Sequence, residues 1–310
     1  MSLLTIFAAP KPFTNPHIAT IQRNAIQSWK RLNPEVQVFL MGQETGLAET
    51  ALELGVRHFD TVRLTEQTKT PYVSSMIETA RQNSDSPLLL CINADVILLS
   101  EFFSAVRHLH EWAPDFLMVG PRWDLEVTQL LEFDAGWEDR LRQEALTRGK
   151  FHVPLGSDYF LFPRSGFKNI PDFAMGRSAW DNWMIYNYRS KHLPVVDGTL
   201  ALNVIHQNHD YSHLPGNKPP YRLPETMENI RLAGGRRCLF FLKDADYQIV
   251  NGQPRHVPMS AKRLLREIEI APLVHLHSIP LAEAVNSIYH PRDAWKEWRG
   301  KIAYKLGGGN

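Results

Sequence analysis

The sequence has two cysteines in 310 residues, Cys91 and Cys238. They stand far apart with no Cys-x-x-Cys spacing, which excludes a disulfide framework and a thiolate zinc site, and both fall in apolar runs that mark them as buried thiols. There is no excess of either charge: 34 Lys+Arg oppose 33 Asp+Glu, a formal net charge of +1. The densest basic cluster, Arg236 and Arg237, is a pair, so a dedicated nucleic-acid binder, which needs clustered cations along a phosphate backbone, is excluded. No apolar run approaches the roughly 18 residues of a membrane span. The opening MSLLTIFAAPKPF lacks the basic segment and long apolar stretch of a signal peptide, so the expected location is cytoplasmic. The stretch DAWKEWRGKIAYK, residues 293–305, is the one candidate for weak peripheral membrane contact, and it reads better as a surface helix packing its tryptophans on the core. No glycine follows the first apolar run, so the Gly-x-Gly-x-x-Gly loop of a dinucleotide site is missing.

What is present is an ordinary globular composition, 44% apolar, 22% charged and 10% aromatic, in a chain long enough to bury roughly three quarters of its unfolded surface. Residues 3–8 form a short apolar run, and Ile18, Ile21, Ala25, Ile26 and Trp29 then recur at helical spacing over 16–32. Residues 36–41 read as a second strand, 47–54 as a helix closed by Gly55, and 56–59 with Val62 as strand-like pieces. Residues 71–81 read as a helix opened by proline, and 88–92 as an unbroken apolar strand. Strands that alternate with helices and are apolar on both faces predict a mainly parallel sheet covered on two sides, an α/β fold. Further on, 116–119, 158–162, 195–196 and 200–205 read as strands, 126–148 as mostly helical and 180–190 as a helix. The segment 208–221 reads as a functional loop, and 222–310 as a helical, partly irregular C-terminal extension.

Three constellations carry chemistry. In such sheets ligands gather at the carboxyl ends of strands, which points to Asn93-Ala94-Asp95 after residues 88–92. A carboxylate there suits a hard cation such as Mg²⁺ or Mn²⁺, or an Asx turn. The run HQNHDYSH brings His206, His209, Asp210 and His213 together, raw material for a metal or acid–base site, or for a turn network. Its spacing matches no zinc-finger or His-Glu-x-x-His pattern, so the loop does not hold a metal alone. The third is Gly156-Ser157-Asp158-Tyr159 with Arg177 and Trp180-Asp181-Asn182-Trp183. Rings beside carboxylates suit a sugar, although the two tryptophans read better as core and Asp181 also suits a helix start.

The order of these features resembles a GT-A type nucleotide-sugar glycosyltransferase over residues 3–211: a βαβ start, a strand emptying into x-x-Asp, a later Trp-Asp-Asn on a helix and a distant His after a strand. The family motif is Asp-x-Asp, and Asn93 stands at its first position. The resemblance implies a GT-A, Rossmann-like catalytic domain over 1–221 with the extension 222–310 packed on it. It implies that Phe7, Ala8 and Pro10 line the base and ribose, with Asn93 beside them. Asp95, with His206 or His209, would hold Mn²⁺ or Mg²⁺ against the diphosphate. Asp181 would be the general base of an inverting transfer, and Asp158 would lie near a sugar. The implied partners are a UDP- or GDP-sugar donor and a glycan, lipid-linked or small-molecule acceptor. The competing readings are a metal-dependent hydrolase or phosphodiesterase built on the His cluster, a nucleotidyltransferase, and an inactive nucleotide-sugar or carbohydrate-binding module.

Overall fold

The computed structural model describes residues 2–152, 157–209, 223–292, 294–296 and 299. The chain opens with strand β1 (Leu4–Ala8), helix α1 (Pro16–Arg31), β2 (Val36–Met41), α2 (Leu47–Leu54), β3 (Arg57–Phe59), α3 (Val73–Asn83), β4 (Leu88–Ile92), β5 (Val96–Ile97) and α4 (Ser100–Trp112). It continues with β6 (Leu117–Val119), β7 (Trp123–Leu125), α5 (Trp137–Arg148), β8 (Lys150–Phe151), β9 (Tyr159–Pro163), α6 (Trp180–Ser190), β10 (Val195–Asp197) and β11 (Ile205–Gln207). Last come α7 (Pro224–Leu232), β12 (Tyr247–Val250), β13 (Gln253–His256), α8 (Ala261–Val274) and α9 (Ile279–Tyr289). Local signals explain the boundaries. The Asn15 side chain accepts from the backbone N–H groups of His17 and Ile18 and starts α1 with Pro16 in its first turn, while Gly55, at φ 62°, closes α2 in the left-handed region.

Nine strands form one sheet in the order β13-β12-β10-β6-β9-β4-β1-β2-β3. All run parallel except β9, which is antiparallel to both β4 and β6, and the edge strand β13. The fold is therefore the mixed, mainly parallel sheet flanked by helices that the sequence implies. Strand alternation sends side chains to two separate cores. Phe7, Leu89 and Cys91 pack with α3, α6 and α8 on one face, while Ile6, Ala8, Leu88, Leu90 and Ile92 pack with α1, α2 and α4 on the other. Both cysteines are free and buried, as expected, and burial pushes the Cys91 thiol up to about 12.

Three local readings are corrected. Residues 126–136 are not helical, because the backbone at Gln129 and Leu131 bonds the side chain of Asn24 on α1 instead of its own turn. Residues 200–204 are not a strand: Ala201 and Leu202 both donate to the Gly198 carbonyl in a turn, and pairing starts only at Ile205. Val62 lies in a loop, and the helix read from Pro71 starts at Val73, after Tyr72 has bridged to Ala174. Beyond residue 222 the chain adds β12 and β13 to the same sheet, which the sequence reading does not anticipate.

A second, small sheet, β5-β11-β7-β8, lies at the carboxyl edge of the large one. Gln207 fixes it to α1. Its amide donates to the Ile21 carbonyl at 2.7 Å and the Asp95 carbonyl at 3.1 Å, and its oxygen accepts from Asn24 Nδ2 at 3.0 Å, all in full burial. Replacing Gln207 by Leu removes these three buried side-chain hydrogen bonds, at about 0.5–1.5 kcal/mol each. Gln207→Leu is expected to lower the unfolding free energy by roughly 3 kcal/mol, read from the urea midpoint at unchanged slope.

Candidate functional site

The small sheet sets three titratable side chains beside one another. Strand β11 lies antiparallel to β5 and parallel to β7, with His206 opposite both Val96 and Asp124, and the Gln207 amide bonds the Asp95 carbonyl. His206 thus stands between Asp95 and Asp124. Its Nε2 is 3.7 Å from Asp95 Oδ1, and its Nδ1 is 3.1 Å from Asp124 Oδ1 but out of line for a good hydrogen bond. Two residues after the strand, His209 brings Nε2 to 3.1 Å from Asp95 Oδ2. Lys11, just past β1, closes the group: its Nζ is 2.9 Å from Asp95 Oδ2 and 2.8 Å from His209 Nε2. Buried Gln22 on α1 clamps the Lys11 backbone from both sides, accepting from its N–H at 2.6 Å and donating to its carbonyl at 2.9 Å.

These contacts decide the charge of the site. Burial alone would push Asp95 up, but Lys11, His206 and His209 outweigh it and hold the carboxyl well below its ordinary range. Burial likewise raises Asp124, and His206, Arg122 and His152 overcome it. Both remain carboxylates at neutral pH. The residues fit a divalent cation: one ligand atom from each of Asp95, His206 and His209 lies within 4.8 Å of the others, and Asp95 Oδ1 is buried with no hydrogen-bond donor. Atoms bound about 2.1 Å from one cation stand roughly 3–4 Å apart, so a small inward shift completes the set. Two imidazoles and one carboxylate leave open positions on an octahedral ion.

The other sequence-predicted residues divide into two groups. Asp158 lies at the start of antiparallel β9, beside Asn93, and both its oxygens are taken. Asn93 Nδ2 donates to Oδ1 at 2.6 Å, and the Arg122 guanidinium donates to Oδ2 while also bonding Asp124 at 2.8 Å. Asn93 therefore faces Asp158, one step from the cation ligands. Asp181, in the first turn of α6, keeps Oδ1 buried and without a donor. Burial raises its carboxyl to about 6; the Asp158 charge adds to the rise and backbone N–H groups at the helix start oppose it. A carboxylate oxygen without a donor on a carboxyl raised toward neutral pH is the profile of a proton acceptor.

The segment before Asp181 is held firmly. Ala179 has φ 94°, a region costly for a residue with a Cβ. Asn229 of α7 grips the approach, accepting from the Ala174 N–H at 2.9 Å and donating to the carbonyls of Ala174 and Ser178. Asn182 bonds the Phe240 carbonyl at 2.8 Å. Buried Arg177 pairs with Glu225 at 2.7 Å and with Thr70, and Trp180 and Trp183 are core residues. Phe7 and Ala8 are fully buried on opposite faces of the sheet and Pro10 is buried too, so this strand end offers its backbone, Ala9 and Lys11 to the cleft. Gly156, Asp210, His213 and the rest of the loop read over 208–221 after His209 lie outside the described residues, as does most of the stretch 293–305.

No family model and no curated protein matches the chain. Among solved structures it is similar to glucosyl-3-phosphoglycerate synthase from Mycobacterium tuberculosis. With Mn²⁺, UDP and glucosyl-3-phosphoglycerate bound, that structure is 14% identical, with 84% of this chain and 88% of that one covered at a TM-score of 0.45. The complex with Mn²⁺, UDP-glucose and phosphoglyceric acid is 15% identical over the same shares, TM-score 0.45. A structure of the same synthase described without ligands is 16% identical over the same shares, TM-score 0.46.

Four residues of the cluster were not singled out from the sequence: Lys11, Arg122, Asp124 and His152. Lys11 carries a signal, a cation directly after the first strand, where α/β sheets bind ligands. The others depend on β7 and β8, two strands too short to stand out by pattern. Two outcomes follow from the geometry. The Lys11 ammonium occupies lone pairs that a cation would need, so Lys11→Met is expected to bind Mn²⁺ roughly tenfold or more tighter than the wild type by calorimetry, and Asp95→Asn not to bind it. Asp181 has a folded value near 6 against an ordinary 3.8, so its ionisation destabilises the fold as pH rises across that interval. Asp181→Asn should melt above the wild type at pH higher than about 6, with the gap closing as pH falls to about 4.

Proposed function

We propose that the chain transfers a sugar from a nucleotide-diphosphate sugar, UDP- or GDP-linked, to an acceptor hydroxyl, with a divalent cation held by Asp95, His206 and His209. The observation that carries this reading is the convergence of those three ligands at the ends of β1 and β4, with a separate carboxylate, Asp181, whose Oδ1 has no donor. This point lies where β1 is flanked by β2 on one side and β4 on the other, the switch point at which open α/β sheets take up ligands. Nitrogen donors favour Mn²⁺ over Mg²⁺ in this set. When bound, the cation supplies Lewis-acid stabilisation of the departing diphosphate.

The chain's own groups do the rest. Lys11, displaced from Asp95, reaches the phosphate oxygens from the loop after β1. Asn93 and Arg122 hold Asp158 rigid, so that its fixed charge keeps Asp181 basic. Asp181 accepts the acceptor's hydroxyl proton as the acceptor oxygen bonds to the sugar's anomeric carbon and the bond from that carbon to phosphate breaks. A direct displacement of this kind inverts the anomeric centre. A carboxylate titrating near 6 is ionised at neutral pH and still a useful base.

A second reading, a metal-dependent hydrolase or phosphodiesterase, gains support from Asp124 and His152, which extend the cluster: His152 Nδ1 lies 2.8 Å from Asp124 Oδ2. A thermal-shift panel of UDP, GDP and their sugars, with and without Mn²⁺, separates the two. The transferase reading expects a Mn²⁺-dependent rise with one nucleotide, about 2.7 kcal/mol of stabilisation at a hundred times the dissociation constant. A response to metal alone favours the hydrolase. With the donor identified, Asp181→Asn is expected to lose about 10²- to 10⁴-fold in transfer while still binding donor, and wild-type transfer to fall as pH drops through about 6. Wild-type transfer by the Asn variant would return Asp181 to a purely structural place.

A further inference from the structure

Helices α8 and α9 present an apolar surface that nothing in the proposed reaction uses. On α8, Leu264, Leu265 and Ile268 are exposed, two of them by more than half (51% and 54%). They lie on the face opposite Ile270, Leu273 and Val274, which join the core. On α9, Leu281, Ala284 and Ile288 are exposed, Ile288 at 76%, opposite buried Ala282 and Asn286. Helix α8 is thus apolar on both sides and α9 on its outer side, and the outer sides have no protein partner among the described residues. A water-facing helix side ordinarily carries charge.

Among the described residues, the unpaired charges around this surface are basic. Exposed Lys262 and Arg292 stand at the two ends of the α8–α9 segment, and the three Glu between them are paired with basic residues. Glu267 is paired with Arg189 and Arg263, Glu269 with Arg266 and His290, and Glu283 with Arg237. On the flank, between α8, α9 and the turn at Arg236–Cys238, lies a pocket of about 100 Å³ with Arg236, Arg237, Arg266 and Glu269 in its wall beside Phe241 and Leu273.

We propose that the α8–α9 face docks on an anionic lipid bilayer, its leucine and isoleucine side chains entering the acyl boundary while Lys262, Arg292 and Arg236 meet headgroup phosphates. Helices that lie in a membrane interface combine an apolar stripe with flanking cations in this way. No described helix is long and apolar enough to cross a membrane, so the contact is peripheral. The proposal is independent of the reaction at Asp95.

Flotation of the full chain with vesicles tests it. At low salt the protein is expected to rise with phosphatidylcholine vesicles containing phosphatidylglycerol at least about tenfold more than with phosphatidylcholine alone, and to be released by high salt. The double variant Leu264→Glu/Ile288→Glu, at exposed positions that should leave the melting curve unchanged, is expected to lose that binding about tenfold. Arg236→Ser is expected to weaken only the preference for the anionic lipid. Absence of flotation with anionic vesicles overturns the proposal, as does flotation unaffected by the double variant. A dimer in sedimentation that the same variant dissociates, without vesicle binding, assigns the face to a second copy instead.

Discussion

A carboxylate taken out of water must be compensated, and the arrangement of the whole cleft follows from how this chain compensates Asp95. Its partners arrive from distant points: Lys11 from the end of the first strand, His206 and His209 from β11 and the residues after it. For those groups to meet, α1 must grip Lys11 through Gln22 and the small sheet through Gln207. The large sheet must also end β4 at the right height. Buried polar side chains on α1 therefore do more to define the site than the loops that surround it.

Much of the framework was legible because it follows simple periodicity. Val36–Met41, Leu47–Leu54, Leu88–Ile92 and Trp180–Ser190 are read from the sequence at their observed bounds, since each is an unbroken apolar run or a clear helical pattern with turn residues beside it. The strands of the small sheet are two or three residues long, below the length at which a pattern exists, and β11 pairs with residues about 80 to 110 positions earlier in the chain. Strands β12 and β13 were missed although they carry a signal: Asn251-Gly252, both with positive φ, form the tight turn of a hairpin. Their Gln, Arg and His residues belong to a sheet edge and hid the strand character.

The site shows the same division. Asp95, Asp158, Asp181 and the histidines stand out as residue types in suggestive places. Which carboxylate is free cannot be read from a linear sequence, because it depends on Asn93 and Arg122 filling the two oxygens of Asp158 while Asp181 Oδ1 is left without a donor. The part of the chain after residue 222 proves to be tied to this centre. Asn229 and Phe240 hold the two sides of the α6 start, so the strained Ala179 backbone is fixed by elements that come later in the chain.

The inventory of fixed charges in the cleft has a kinetic consequence. Asp95, Asp124, Asp158 and Asp181 stand against two permanent cations, Lys11 and Arg122, and no third lysine or arginine contacts these carboxylates among the described residues. The field at the ends of β1 and β4 is negative whenever the histidines are neutral. On the proposed reading, such a cleft would draw in a small divalent ion and repel a multiply charged anion, so the cation would bind before any phosphate-bearing ligand and leave after it.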